Sequence, residues 1–183
     1  MVELHEDTDL IRASQQGDHD AFELLVQRYQ KMIHSLCYRM TGSMDDAADL
    51  AQETFVAAYQ NLTKFRGDSK FSSWLYQIGV NHTLNWKEKA LRRSRLHEKW
   101  EQERLPEDHL RQEETPADCL VQQALMKLKP KQRAAIVLTV YDGLSHAQAA
   151  KALRCSETTV SWRIFVARRQ LKRLLQPQLL KQK

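Results

Sequence analysis

The chain has 183 residues, 42% of them apolar and 28% charged, which suits one ordinary folded domain or two small ones. With only 5 glycines and 4 prolines it is poorly suited to a turn-rich all-β fold or a glycine-rich phosphate cradle. The N-terminal MVELHEDTDL is acidic and has no apolar signal core, and no apolar run approaches the ~18 residues of a membrane span. Cys37, Cys119 and Cys155 are too few and too scattered for a disulfide framework or a metal-ligand spacing. Helix formers (Ala, Leu, Gln, Glu, Lys, Arg) dominate, so the expectation is a cytoplasmic helical protein with no cofactor and no metal.

The net charge of +5 is unevenly spread. Residues 1–60 carry a net −7, residues 61–100 a net +6, residues 101–118 a net −5 and residues 119–183 a net +11. Two basic blocks split by an acidic one suggest two anion-binding surfaces on a jointed chain. Lys and Arg that simply solvate helix faces are the plainer reading for a chain of net charge +5, but +11 in the last 65 residues favours nucleic acid.

In chain order, Asp9–Gln16 reads as a short helix stopped by Gly17, with Asp18 as the next N-cap. Apolar residues from Phe22 to Met40 recur at helical spacing and predict a long amphipathic helix ended by Thr41-Gly42. Ser43 caps a third helix, with Ala47, Ala51, Phe55, Ala58 and Leu62 facing inward. A polar loop, Lys64–Lys70, precedes a fourth helix that starts near Ser72 or Ser73 and runs into the basic tract Lys87–Arg95. Residues 96–118 hold Pro106 and Pro116, lack an apolar stripe and read as a tether. Helices then follow over Ala117–Leu128 and Lys131–Tyr141, with a turn at Asp142-Gly143. Ser145 and Gln148 form a capping box, Arg154-Cys155-Ser156 make a tight turn, and a last basic helix buries Val160, Ile164, Ala167, Leu171 and Leu174. The expected fold is all-α: two small helical domains joined by a flexible tether, residues 1–95 and 119–183 flanking 96–118.

Three constellations can carry function. The short capped helix, turn and long helix from Ser145 make a helix-turn-helix. Its exposed face carries Thr158, Ser161, Trp162, Phe165, Arg168 and Arg169, short polar and aromatic groups for base edges and arginines for phosphates. Second, Phe65, Phe71, Trp74, Tyr76 and Trp86 are interleaved with Lys64, Arg66, Lys70, Lys87 and Lys89, with Asn81 and Asn85 further along the same helix. Rings among cations suit unpaired bases, although the spacing fits a core equally well. Third, Asp45, Asp49, Gln52 and Val56 share one helix face beside Asp46 and Glu53. That stripe would attract a basic protein surface, and plain solvation is the simpler account of it on spacing alone. No nucleotide loop, paired metal-binding histidines or nucleophile constellation is present, so an enzyme is not expected.

In order, these features resemble the extracytoplasmic-function (ECF) sigma factors of bacterial RNA polymerase, nearest to the sigma-E-like envelope-stress branch. The resemblance rests on Asp46-Ala47-Ala48-Asp49-Leu50-Ala51-Gln52-Glu53-Thr54-Phe55, on Phe65-Arg66-Gly67-Asp68-Ser69 with Phe71, Trp74 and Asn81, and on Leu128–Arg133, Asp142-Gly143-Leu144-Ser145 and Thr159-Val160 with Arg163 and Ala167-Arg168. It implies that Asp46, Asp49, Gln52 and Glu53 dock on core polymerase (β′, with β the second contact), and that residues 1–95 are sigma region 2. It implies a −10 reader made of Phe65, Arg66, Gly67, Asp68, Ser69, Phe71, Trp74, Asn81 and Asn85, with the loop receiving a flipped base. The helix-turn-helix in 119–183, sigma region 4, would read the −35 element through Thr158, Ser161, Trp162, Arg163, Phe165, Arg168 and Arg169. The other implied partners are promoter DNA and an anti-sigma factor, which in many relatives is membrane-anchored, and no small-molecule substrate. Relatives often carry basic residues at the positions of Ser161 and Val166 and a small one at Trp162, so this chain's −35 sequence is expected to be its own. The competing classes are a stand-alone helix-turn-helix regulator, which would need a dimerisation heptad not seen here, a protein-binding adaptor, and more distantly a nuclease.

Overall fold

The computed structural model describes residues 6–97 and 116–179. Among them are eight α-helices and no strand. The first four are α1 (Asp7–Gln15), α2 (His19–Thr41), α3 (Met44–Asn61) and α4 (Phe71–His97). The second four are α5 (Pro116–Met126), α6 (Pro130–Ile136), α7 (His146–Ala152) and α8 (Glu157–Leu179). The predicted tether lies mostly outside the described residues; of its ends, 96–97 finish α4 and 116–118 open α5.

Local chemistry sets several helix ends. The Asp18 carboxylate accepts from the Ala21 amide at 3.0 Å, and Ser43 Oγ from the Asp46 amide at 3.2 Å. Between them Gly42, at φ +78°, ends α2 by donating its amide to the Tyr38 carbonyl, so α2 and α3 fold back as a hairpin. In the second group the Ser145/Gln148 capping box opens α7 as the sequence predicts. The expected continuous helix over Lys131–Tyr141 instead loosens into a π-helical turn at Val137–Tyr141. There the Thr139 hydroxyl donates to the Ala135 carbonyl at 2.7 Å, a back-bond that competes with the helix ladder.

Two cores result. The first joins Leu10 and Ile11 of α1, Leu25, Ile33 and Cys37 of α2, Leu50 and Phe55 of α3, and Phe71 and Leu75 of α4. Ala47, Ala51 and Ala58 keep α3 close to its neighbours. Burial pushes the Cys37 thiol up to about 12, so it is an inert apolar filler. The second core crosses between the helix groups. Leu36, Met40, Tyr76 and Val80 from α2 and α4 pack with Leu125, Leu128, Ile136–Leu138, Val160, Ile164 and Ala167. A second helical unit of this size has a marginal core by itself, and borrowing apolar surface from α2 and α4 enlarges it.

Arg133 sits at the centre of this junction with no exposed surface. Its Nε donates to the Leu125 carbonyl (2.8 Å), and its Nη2 donates to those of Met126 (2.8 Å) and Leu128 (3.3 Å). Its Nη1 reaches the Met40 carbonyl at the end of α2. The one guanidinium therefore closes the carboxyl ends of both α2 and α5, where backbone carbonyls lack helical partners. Gln122 Nε2 adds a bond to the Tyr38 carbonyl (3.0 Å), and the Arg39 guanidinium lies 4.5 Å over the Tyr141 ring.

Candidate polymerase and nucleic-acid interfaces

The first surface is on α3. Asp45, Asp49, Gln52, Glu53 and Val56 are exposed, while Asp46 is half-buried at the capped end. Glu53 also reaches His82 of α4 at 3.4 Å. Beside the stripe runs a mainly apolar groove of about 620 Å³ between α2 and α3, lined by Val26, Ala48, Ala51 and Phe55 with Lys31 and His34. Sequence reasoning found the carboxylates but missed the groove, because its walls come from two helices. Ala48, exposed beside the buried Ala47, lines this groove, and nothing in the sequence marked it.

The second surface is the loop before α4. Arg66, Gly67, Asp68, Ser69 and Lys70 are exposed, and Gly67 takes φ +77°, a conformation that favours glycine. Phe65 is half-buried, edge-on to Phe71 (5.6 Å between centroids) and 5.1 Å from Trp74. Phe71 is 3% exposed, so it forms the floor beneath the loop, and Trp74 is half-buried beside it. Loop and α1 enclose a cavity of about 570 Å³. Asn81 is half-buried and donates to the Gln77 carbonyl at 2.7 Å, while Asn85 is exposed. Tyr76, one of the interleaved aromatics, turns away into the shared core, where burial and its hydrogen bond to Asp142 raise its phenol well above the usual range. The side chains of Lys87 and Lys89 lie outside the described residues.

The third surface is the helix-turn-helix of α7 and α8. Arg154 makes the turn at φ +48°, and the Cys155 amide bonds back to the Ala150 carbonyl at 3.0 Å. Ser156 Oγ caps α8 through the Thr159 amide (3.2 Å). Val160, Ile164 and Ala167 are buried, and the opposite face is open: Thr158, Ser161, Arg168 and Arg169 are exposed, with Trp162 at 60% and Phe165 at 64%. Arg163 differs from its predicted companions. It is half-buried, with Nη1 3.4 Å from Cys155 Sγ, where it braces the turn. His146, which sequence reasoning did not single out, pairs with Ser161 Oγ at 3.0 Å. The Ser161 hydroxyl spends its one proton on the Glu157 carbonyl, so it accepts from His146 Nδ1–H. Among the described residues no group of three His, Cys, Asp or Glu side chains could hold a metal ion, and no helix is long and apolar enough to cross a membrane.

Residues 25–94 match Sigma-70 region 2, and residues 120–171 match Sigma-70, region 4. The first match spans the α3 stripe and the aromatic loop, and the second spans the helix-turn-helix. Such a pairing defines a sigma-70-type transcription initiation factor. The chain is 35% identical to the RNA polymerase sigma-H factor of Pseudomonas aeruginosa, over 97% of both chains. It is also 35% identical to the ECF RNA polymerase sigma-E factor of Haemophilus influenzae, over 97% of this chain and 99% of that one. A solved structure similar to it is the sigma factor RpoE of Bartonella quintana in complex with the anti-sigma factor NepR (TM-score 0.74, 25% identity, 85% of this chain and 96% of that one). The chain belongs to the extracytoplasmic-function sigma factors, alternative sigma factors that bind core RNA polymerase and direct it to promoters.

Proposed function

We propose a division of labour among the three surfaces. Asp46, Asp49, Gln52 and Glu53, with the apolar groove beside them, dock on a basic and apolar surface of core polymerase. The Phe65–Phe71 loop, Trp74, Asn81 and Asn85 recognise the melted −10 strand, with an unstacked base entering the cavity between loop and α1. On α8, Ser161, Trp162 and Phe165 meet base edges in the major groove, Arg168 and Arg169 hold phosphates, and Arg163 supports the turn. This assigns residues 1–95 to docking and −10 recognition, 96–118 to a connector and 119–183 to −35 recognition. The chain works in the cytoplasm as a binding subunit without catalysis of its own. An anti-sigma factor is its expected antagonist, as one binds the similar Bartonella protein.

The observation that carries this reading is the exposure of Trp162 and Phe165 beside Arg168 and Arg169 on a capped recognition helix, in a chain that also presents an aromatic loop and an acidic stripe. Duplex readout needs an intact groove, whereas a melted strand needs rings and a pocket to offset lost stacking. The test is reconstitution with bacterial core polymerase, co-elution, and run-off transcription from a genomic fragment library. A stable complex with new start sites supports the reading. Tight DNA binding by the chain alone, without a polymerase complex, would instead favour a stand-alone regulator.

A further inference from the structure

The cavity beside the aromatic loop has a second wall that neither the motifs nor the region 2 match includes. That wall is α1, which ends before the match begins at residue 25. Gln15, on the last turn of α1, donates through Nε2 to two backbone carbonyls, Leu62 and Phe65, both at 2.9 Å. An amide nitrogen carries two hydrogens, so both are spent on the backbone where the loop begins. The other flank of the loop is tied to the same helix. Asp7 pairs with Arg28 and accepts from the Tyr29 hydroxyl, and the Tyr29 ring packs edge-on against Phe71 at 5.6 Å. Arg66–Lys70 are exposed between these two ties, and the Lys70 carbonyl accepts from the Trp74 amide at 3.2 Å where α4 begins.

We infer that Gln15 is a positioning residue for base recognition: by clamping the Leu62 and Phe65 carbonyls it fixes the loop that forms the base pocket. The inference rests on the proposed role of that loop in −10 reading. Gln15 lines the cavity, but both of its donors are spent on the backbone, so it acts through the loop. It fixes the pocket's shape, so its loss blurs the choice of base at one position and leaves polymerase docking through the exposed α3 stripe unchanged.

The probe is a pool of duplex promoters carrying the −35 side recovered by the run-off experiment and a −10 region randomised over about six positions, the stretch a short single-strand site spans. Holoenzyme transcribes the pool and the transcripts are sequenced. Four proteins are compared: wild type, the double variant Arg66→Ala/Asp68→Ala, Gln15→Met and Gln15→Glu. Methionine keeps the length without donors, and glutamate would face two carbonyls with a carboxylate. The loop double variant is expected to flatten base preference at one position. Both Gln15 variants are expected to flatten it at that same position by about tenfold, the value of one or two neutral hydrogen bonds, with co-elution on core polymerase unchanged. If the loop variant changes no position, the loop is not the reader and the underlying assignment fails. If the loop variant flattens a position that both Gln15 variants keep, the assignment stands and the positioning role is overturned. Loss of polymerase binding by both Gln15 variants would equally overturn it, since Gln15 would then serve the fold and not the loop.

Discussion

Replacing Arg133 by methionine tests the junction between the two helix groups. Methionine keeps the length and apolar stem of arginine but has no donor. The guanidinium is wholly buried, and burial lowers its pKa to about 10, so it stays charged at neutral pH. Its partners are the Leu125, Met126, Leu128 and Met40 carbonyls. Bonds from a charged donor contribute ~1.5–3 kcal/mol each, and an abandoned buried acceptor costs ~1–3 kcal/mol. Against this, removing the guanidinium relieves a desolvation penalty of several kcal/mol. Leu125 also keeps a bond from the Leu128 amide, so its carbonyl is not abandoned. The expected net loss is about 3 kcal/mol, or roughly 6–12 °C in Tm for a chain of this size. Thermal unfolding followed by circular dichroism measures it. Because Met40 belongs to α2 and the other three carbonyls lie in or just after α5, small-angle scattering should also show a larger radius of gyration as the groups part. Arg133→Lys, with a point charge in place of a fork, should fall between. A Tm within about 2 °C of wild type would refute the reasoning, because those carbonyls would then have to be solvated without Arg133.

Other expectations concern pH and the binding surfaces. Burial raises the Asp142 carboxyl from 3.8 to about 6, partly offset by Arg39 and by its hydrogen bond with Tyr76, and one of its oxygens is buried without a partner. A raised carboxyl favours the folded state while protonated, so this contribution is present below pH ~4 and lost as pH rises through ~6, by at most about 3 kcal/mol. Asp142→Asn should remove that slope in urea titrations at pH 4 to 7 and be the more stable protein at pH 7; an unchanged slope would place Asp142 in water. Asp49→Arg with Gln52→Arg should lower affinity for core polymerase by tenfold or more without changing Tm, since both side chains are exposed; unchanged co-elution would remove the docking assignment. Arg168→Ala should weaken binding to every −35 sequence about equally and reduce the salt slope by roughly one. Trp162→Ala should instead change which −35 sequence holoenzyme prefers, and an unchanged preference in a randomised −35 pool would take Trp162 out of base readout.

Short-range chemistry was legible in the sequence by itself. Asp18, Ser43 and Ser145 cap the helices they were expected to cap, because capping depends on side chains within three residues of one another. The exposed face of α8 and the acidic stripe of α3 follow from helical periodicity, which holds wherever one face of a helix is buried. What lies between elements was decided only by tertiary structure. The spacing around Phe65–Trp86 could not tell ring from core, and packing divided it: Phe71 and Tyr76 are buried, while Phe65 and Trp74 remain half open. Arg133 entered the sequence reading only as the end of the Leu128–Arg133 motif, yet it is the buried cap of two helix ends, one of them reached through Met40, 93 residues away in the chain. Gln15 and His146 carry no motif, and their roles exist only because the fold brings them to Leu62, Phe65 and Ser161. The placement of the two groups also lay beyond the sequence. It depends on apolar surface on α2 and α4 that periodicity assigns to a buried face without saying which neighbour covers it.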